Sequence, residues 1–147
     1  MSELNAEHWT LEPGVRFGLL RFGMTPEQVN AAKSDMRDAD ILNVEFERDR
    51  LEAIEIDGGA NAIILQNLNL LELGHLECAL HLASMSSNFG QSQGGSLHFE
   101  DIGLSILQFE SPGLRSFIFR QNGRTSGEPL MTVSAADITA YFNEHTA

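Results

Sequence analysis

Histidine and cysteine are the side chains best able to hold a metal ion or activate a nucleophile near neutral pH. In this chain His75, Cys78 and His81 fall close together, Glu72 and Glu77 lie beside them, and His98 follows. Two metal ligands on one helix stand three or four residues apart, as in H-E-x-x-H. His75 and His81 are six apart, which turns their rings about 120° from each other on a regular helix. They cannot chelate one ion from that helix, and His98 would join either of them only through tertiary contact. Cys78 has a histidine three residues to each side, close enough for a base to reach a thiolate. A lone cysteine on an apolar helix is more often a small buried hydrophobe. The reading is a non-catalytic chain with no cofactor. His75, His81, His98 and Cys78 define the alternative: a small-molecule or metal-binding protein, or an enzyme, with a site between the sheet and the second helix. No phosphate-cradling or dinucleotide-binding glycine pattern is present.

Carboxylates are far more abundant, and their placement carries more information. The chain of 147 residues has 21 Asp+Glu against 9 Lys+Arg, a formal net charge of −12. That balance argues against nucleic acid as a ligand and against an anionic membrane surface, since both require a basic footprint. The charge is uneven. Between Glu45 and Asp57 there are six acids and two arginines. Val44 and Phe46 alternate there with Glu45 and Glu47, and Ile54 and Ile56 with Glu55 and Asp57, the pattern of a half-buried β-hairpin. A three-residue loop at Asp49-Arg50-Leu51 pairs Phe46 with Ile54 and Val44 with Ile56, and places Glu45 opposite Glu55. Glu45, Glu47, Glu55 and Asp57 then form one acidic face suited to a basic protein partner, which it would attract and select electrostatically.

The elements that position these residues are marked by local punctuation. Thr25-Pro26-Glu27-Gln28 reads as a helix start with a capping box and proline at the first helical position. Asp57-Gly58-Gly59 leads into a third strand, Ala62 to Gln66. A second helix spans about Leu73 to Met85, and Gln91 to Ser96 is a loop. A second meander runs through Leu97–Glu100, Leu104–Glu110 and Arg115–Arg120, with a turn at Pro112-Gly113 that pairs Glu110 with Arg115 and Leu107 with Ile118. Gln121 to Pro129 is a polar loop. Ser134 with Asp137 starts a C-terminal helix over 134–145. Trp9 reads as a strand residue anchoring the N-terminus. The fold class is α+β: antiparallel meanders packed against short helices. The chain is one domain, 1–147, of two weakly repeated helix–meander units at about 14–66 and 67–120, plus the last helix.

The segment from Gly14 to Val29, with Arg21-Phe22-Gly23-Met24-Thr25 at its centre, resembles a strand-to-helix phrase of uncharacterised bacterial proteins. The repeated helix-then-meander plan resembles the fold of the β-lactamase-inhibitor protein and of the small lipoprotein of the outer-membrane assembly machinery. The resemblance implies a bacterial protein-binding module and transfers no functional residue. A single cysteine and an acidic N-terminus without an apolar core point to a cytoplasmic protein. The sharpest expectation is an immunity-type protein that neutralises a basic toxin domain. A homo-oligomer with a structural role is a third reading.

Overall fold

The computed structural model describes residues 6–36, 42–56, 62–87, 89–92, 96–107, 116–121, 130–132 and 134–146. A 3-10 turn, Ala6–Trp9, leads into three short strands, β1 (Leu11–Glu12), β2 (Arg16–Phe17) and β3 (Leu20–Arg21), which form a small antiparallel sheet. Helix α1 (Pro26–Ser34) follows, then β4 (Leu42–Glu47) and β5 (Arg50–Ile56). Strands β6 (Ile64–Leu65) and β7 (Leu68–Asn69) make a separate two-stranded hairpin. After a 3-10 turn at Leu70–Glu72 come α2 (His75–Met85), β8 (Phe89–Ser92), β9 (Leu97–Phe99), β10 (Leu104–Leu107), β11 (Ser116–Arg120), β12 (Leu130–Thr132) and α3 (Ala135–Thr146). Helices and antiparallel sheets together make the fold α+β.

Both helix starts form as their residues dictate. The Gln28 N–H donates to Thr25 Oγ1 at 3.2 Å, and the Thr25 N–H to Gln28 Oε1 at 3.0 Å. Ser134 and Asp137 make the same reciprocal pair at 2.9 and 3.1 Å. Each box satisfies helix-terminal N–H groups that have no intrahelical acceptor.

The main sheet has 7 strands in the order β12-β8-β9-β10-β11-β5-β4, all neighbours antiparallel. Because β11 pairs with β5, strands from before and after α2 share one sheet. Register and the two-residue period of a strand put Leu42, Val44, Ile54, Ile56, Phe117, Phe119, Leu104, Ile106, Leu97 and Phe99 on one face. All of these except the half-buried Val44 are buried. Phe17 brings the small N-terminal sheet onto that face, its ring centroid 5.1 Å from that of Phe119. Helix α1 lies against β5, and α2 packs on α3 and β9.

The strand-to-helix corner has a clear physical role. The Gly23 N–H donates to Leu51 O at 2.9 Å, and the Leu51 N–H to Met24 O at 2.7 Å. Arg50 adds a bond to Gly23 O at 3.3 Å. The corner therefore clamps the start of β5 beside the start of α1.

Several expected details are corrected. The hairpin turns at Arg48-Asp49, a two-residue loop with φ of 53° and 61°, and pairs Glu47 with Arg50 and Phe46 with Leu51. A bulge then leaves Glu52 as an extra residue, so Glu45 faces Ala53, Val44 faces Ile54 and Asn43 faces Glu55. The extra residue restores the apolar face that a two-residue loop alone would spoil. The chain after the hairpin does not extend the meander; Ile64–Leu65 folds back on Leu68–Asn69 instead. Leu107 pairs with Ser116 and Ile118 with Ser105, a shift of two residues that keeps every side chain on its face. Gln91 belongs to β8 and is buried, not part of a loop. Trp9 lies in a 3-10 turn rather than a strand and is 2% exposed. The expected Glu110–Arg115 pair lies outside the described residues, as does most of the loop 121–129.

The exposed Asp101 holds the end of α2 against the β9–β10 connection. Its carboxylate accepts from the Ser86 hydroxyl, from the Ser87 N–H at 2.7 Å and from the Ser87 hydroxyl at 3.1 Å. Partial burial pushes the carboxyl up, but the bonds from Ser86, Ser87 and its own amide outweigh it and hold Asp101 below its ordinary value. A lowered folded-state pKa stabilises the fold above the ordinary carboxylate range, and that contribution is lost as pH falls through the lowered value. Asp101→Asn is expected to cost about 1 kcal/mol at pH 7, the low end for a charge-assisted network because of its exposure. Thermal melts at pH 7 and pH 3 check this, since the gap between wild type and variant should narrow at the lower pH.

Candidate functional site

The residues singled out for chemistry lie on α2 and β9. Cys78 is completely buried in α2, beside Ala79 and near Leu82. His81 is partly exposed on the same helix, and the side chain of His75 lies outside the described residues. His98 sits in β9 and is only 5% exposed. Among the described residues no three His, Cys, Asp or Glu side chains are grouped to hold a metal ion.

His98 instead contacts Ser105, its direct neighbour in β10. Nδ1 and Oγ lie 2.7 Å apart. On the other side stands Gly90, which has no side chain to crowd the ring. A serine and histidine at this distance could serve as nucleophile and base if a substrate could reach them. Ser105 is also only 5% exposed. The pair is a polar contact inside the sheet, and it fixes the β9–β10 register.

The pattern G-x-S-x-G occurs at Gly90-Gln91-Ser92-Gln93-Gly94. In a nucleophile elbow that serine sits on a turn from strand into helix. Here Ser92 ends β8, whose antiparallel partner β9 comes next. The match is textual and lacks the elbow's context. A cleft of about 340 Å³ lies between β1 and the β6–β7 turn, lined by residues including Thr10, Glu12, Pro13, Gln66 and Asn67. Its ionisable side chain, Glu12, is paired with Arg16 at 2.7 Å. This leaves the cleft without an acid–base pair.

The acidic hairpin is a different kind of surface. Strand β4 ends the main sheet, and Asn43, Glu45, Phe46 and Glu47 are all exposed, as are the turn residues Arg48 and Asp49. Phe46 is 37% exposed, and among the described residues it and Val15 are the most exposed large apolar side chains. Glu45 and Glu47 share a face of β4. Glu55, opposite Asn43, shares it too but is half-buried in the second strand of the sheet. The expected Glu45–Glu55 opposition is replaced by a mixed-charge row. Glu45, Ala53 and Arg120 lie side by side across β4, β5 and β11. The small Ala53 lets Arg120 reach over it to Glu45 at 3.9 Å. Asp57 lies outside the described residues. Sequence reasoning missed Arg120, because no local pattern links it to the hairpin.

Among the described residues no helix is long and apolar enough to cross a membrane. No protein-family model, no curated protein and no solved structure matches this chain.

Proposed function

We propose that this chain is a non-catalytic protein-binding module of the bacterial cytoplasm. It docks a basic partner on the outer edge of its main sheet, and neutralisation of a basic toxin domain is the sharpest form of that role. One observation carries the reading: the terminal strand β4 presents Glu45 and Glu47 on either side of an exposed Phe46. Acids at a rim speed encounter and select partners, while an apolar anchor holds the docked complex. The buried state of Cys78, His98 and Ser105 speaks against the alternative of an enzyme or small-molecule site between sheet and second helix.

The test uses a partner recovered from the native host. Reversing Glu45 and Glu47 to lysine should slow its association at low salt about tenfold and flatten the salt dependence. Stopped-flow or surface-plasmon traces at low and moderate salt measure both effects. If the recovered partner associates with the double variant at the wild-type rate, docking does not occur on this edge.

A further inference from the structure

The edge strand offers more than charge. In an antiparallel pair, residues alternate between those whose backbone groups bond the neighbour and those whose groups point away from it. Leu51 gives its N–H to Met24 and its C=O to Gly23, so it does not exchange bonds with its opposite residue, Phe46. Phe46 therefore turns its own N–H and C=O away from β5, towards the open edge. At the other end of β4 the Lys33 ammonium donates to Leu42 O at 3.4 Å. The carbonyl of Leu42 thus also points outward, where α1 supplies a donor. The two-residue period places the backbone groups of Val44 on the same outward row. No described residue outside the hairpin bonds to the backbone of Val44 or Phe46.

We propose that β4 accepts an extended segment of the partner as an eighth strand of the main sheet, bonded to the Val44 and Phe46 backbone. This deepens the proposed function and rests on its docking edge. The side chains specify the segment. Residues directly opposite Glu45 and Glu47 lie on the acidic face and must be Lys or Arg, and the residue between them lies on the Phe46 face and must be apolar. The occupant is a strand of alternating basic and apolar residues. A second copy of this chain is a poor occupant. Pairing β4 with itself would crowd the Glu45 and Glu47 carboxylates of both chains onto one face, a like-charge barrier of the kind that keeps sheet edges from self-association.

The probe is a capped nine-residue peptide of alternating Lys and Val. Its controls are the same peptide N-methylated at alternate backbone positions and an alternating Glu/Val peptide. Fluorescence anisotropy gives affinity, and amide hydrogen exchange by NMR reads Val44 and Phe46 directly. The Lys/Val peptide should bind and slow exchange at both amides at least tenfold. The N-methylated and Glu/Val peptides should bind at least tenfold more weakly. Val44→Pro removes an outward N–H at an edge position where proline is tolerated, and should weaken the Lys/Val peptide equally. If Val44→Pro does not fold by circular dichroism, the N-methylated peptide decides alone. Equal binding by the N-methylated peptide, unprotected amides, a failure of the Lys/Val peptide to bind, or a concentration-dependent dimer in sedimentation overturns strand addition. Should those arms fail while Glu45→Lys with Glu47→Lys still slows the native partner, the docking edge stands and only strand addition falls. If that double variant also leaves the native partner unaffected, the docking reading falls with it.

Discussion

Phe17→Ala is expected to lower the unfolding free energy by about 3–5 kcal/mol, the usual range for deleting a buried phenylalanine ring. Phe17 has no solvent exposure. Its ring meets Trp9 edge-on, with centroids 6.3 Å apart and planes at 68°. Its other side lies against Phe119, which packs in turn with Phe117 on the same strand face. Phe17 thus bridges the small N-terminal sheet and the main sheet, and the alanine would leave a cavity between them. Total stability for a domain of this size is of order 5–15 kcal/mol, so the loss is a large fraction of the whole. Urea unfolding followed by the fluorescence of Trp9, the sole tryptophan, measures it at the site of the change. Phe46→Ala, at an exposed edge position, should stay within about 0.5 kcal/mol of wild type. Comparable losses for the two variants would show that Phe17 does not join the sheets.

What the sequence discloses here depends on how local the cause is. The caps at Thr25–Gln28 and Ser134–Asp137 need four consecutive residues and nothing else, and both formed as read. The alternation around Val44–Glu47 and Ala53–Ile56 reveals a hairpin, because burial on one face is written into each strand separately. Its register is not legible. Arg48 and Asp49 carry none of the glycine that advertises a turn at positive φ, and the bulge at Glu52 emerges only when the two strands are paired. Strands β1, β2 and β3 have two residues each, too few to show any period. They exist because Trp9, Leu11, Phe17 and Leu20 find a common core, which is a tertiary cause.

The acidic edge shows the same division. That Glu45 and Glu47 face solvent follows from their own strand. That β4 is terminal, that Lys33 caps its first carbonyl and that Arg120 leans across Ala53 all depend on the strand order of the assembled sheet. Strand pairing also sets the surroundings of His98: the ring that invites a metal reading in the sequence is buried beside Ser105 of the neighbouring strand.

Gly18→Ala should be nearly as damaging as the loss of Phe17, for a reason that side-chain burial does not convey. Gly18 and Leu19 form the two-residue turn between β2 and β3, with Gly18 at φ +60°. Its N–H donates to Thr10 O at 2.9 Å, and its carbonyl accepts from the Arg16 guanidinium at 2.9 Å, so the turn cannot move without breaking both bonds. A methyl group at Gly18 would stand 2.3 Å from the backbone oxygen of His8 and 3.0 Å from Met36 Cε. The methionine can yield; the carbonyl of the Ala6–Trp9 turn cannot without carrying Trp9 out of the core. Left-handed backbone alone costs an alanine about 1–2 kcal/mol, and forcing apart packed backbone adds about 1–3 kcal/mol. Gly23→Ala supplies the control, since Gly23 also has positive φ, at +94°, but nothing lies within 4 Å of its Cβ position. Gly23→Ala should therefore show the conformational penalty alone, and Gly18→Ala the penalty plus the clash, with a shift in Trp9 emission that Gly23→Ala does not produce. Equal urea midpoints for the two variants would mean that the N-terminal turn gives way freely. The contact between His8 and Gly18 would then contribute nothing to holding Trp9 against Phe17.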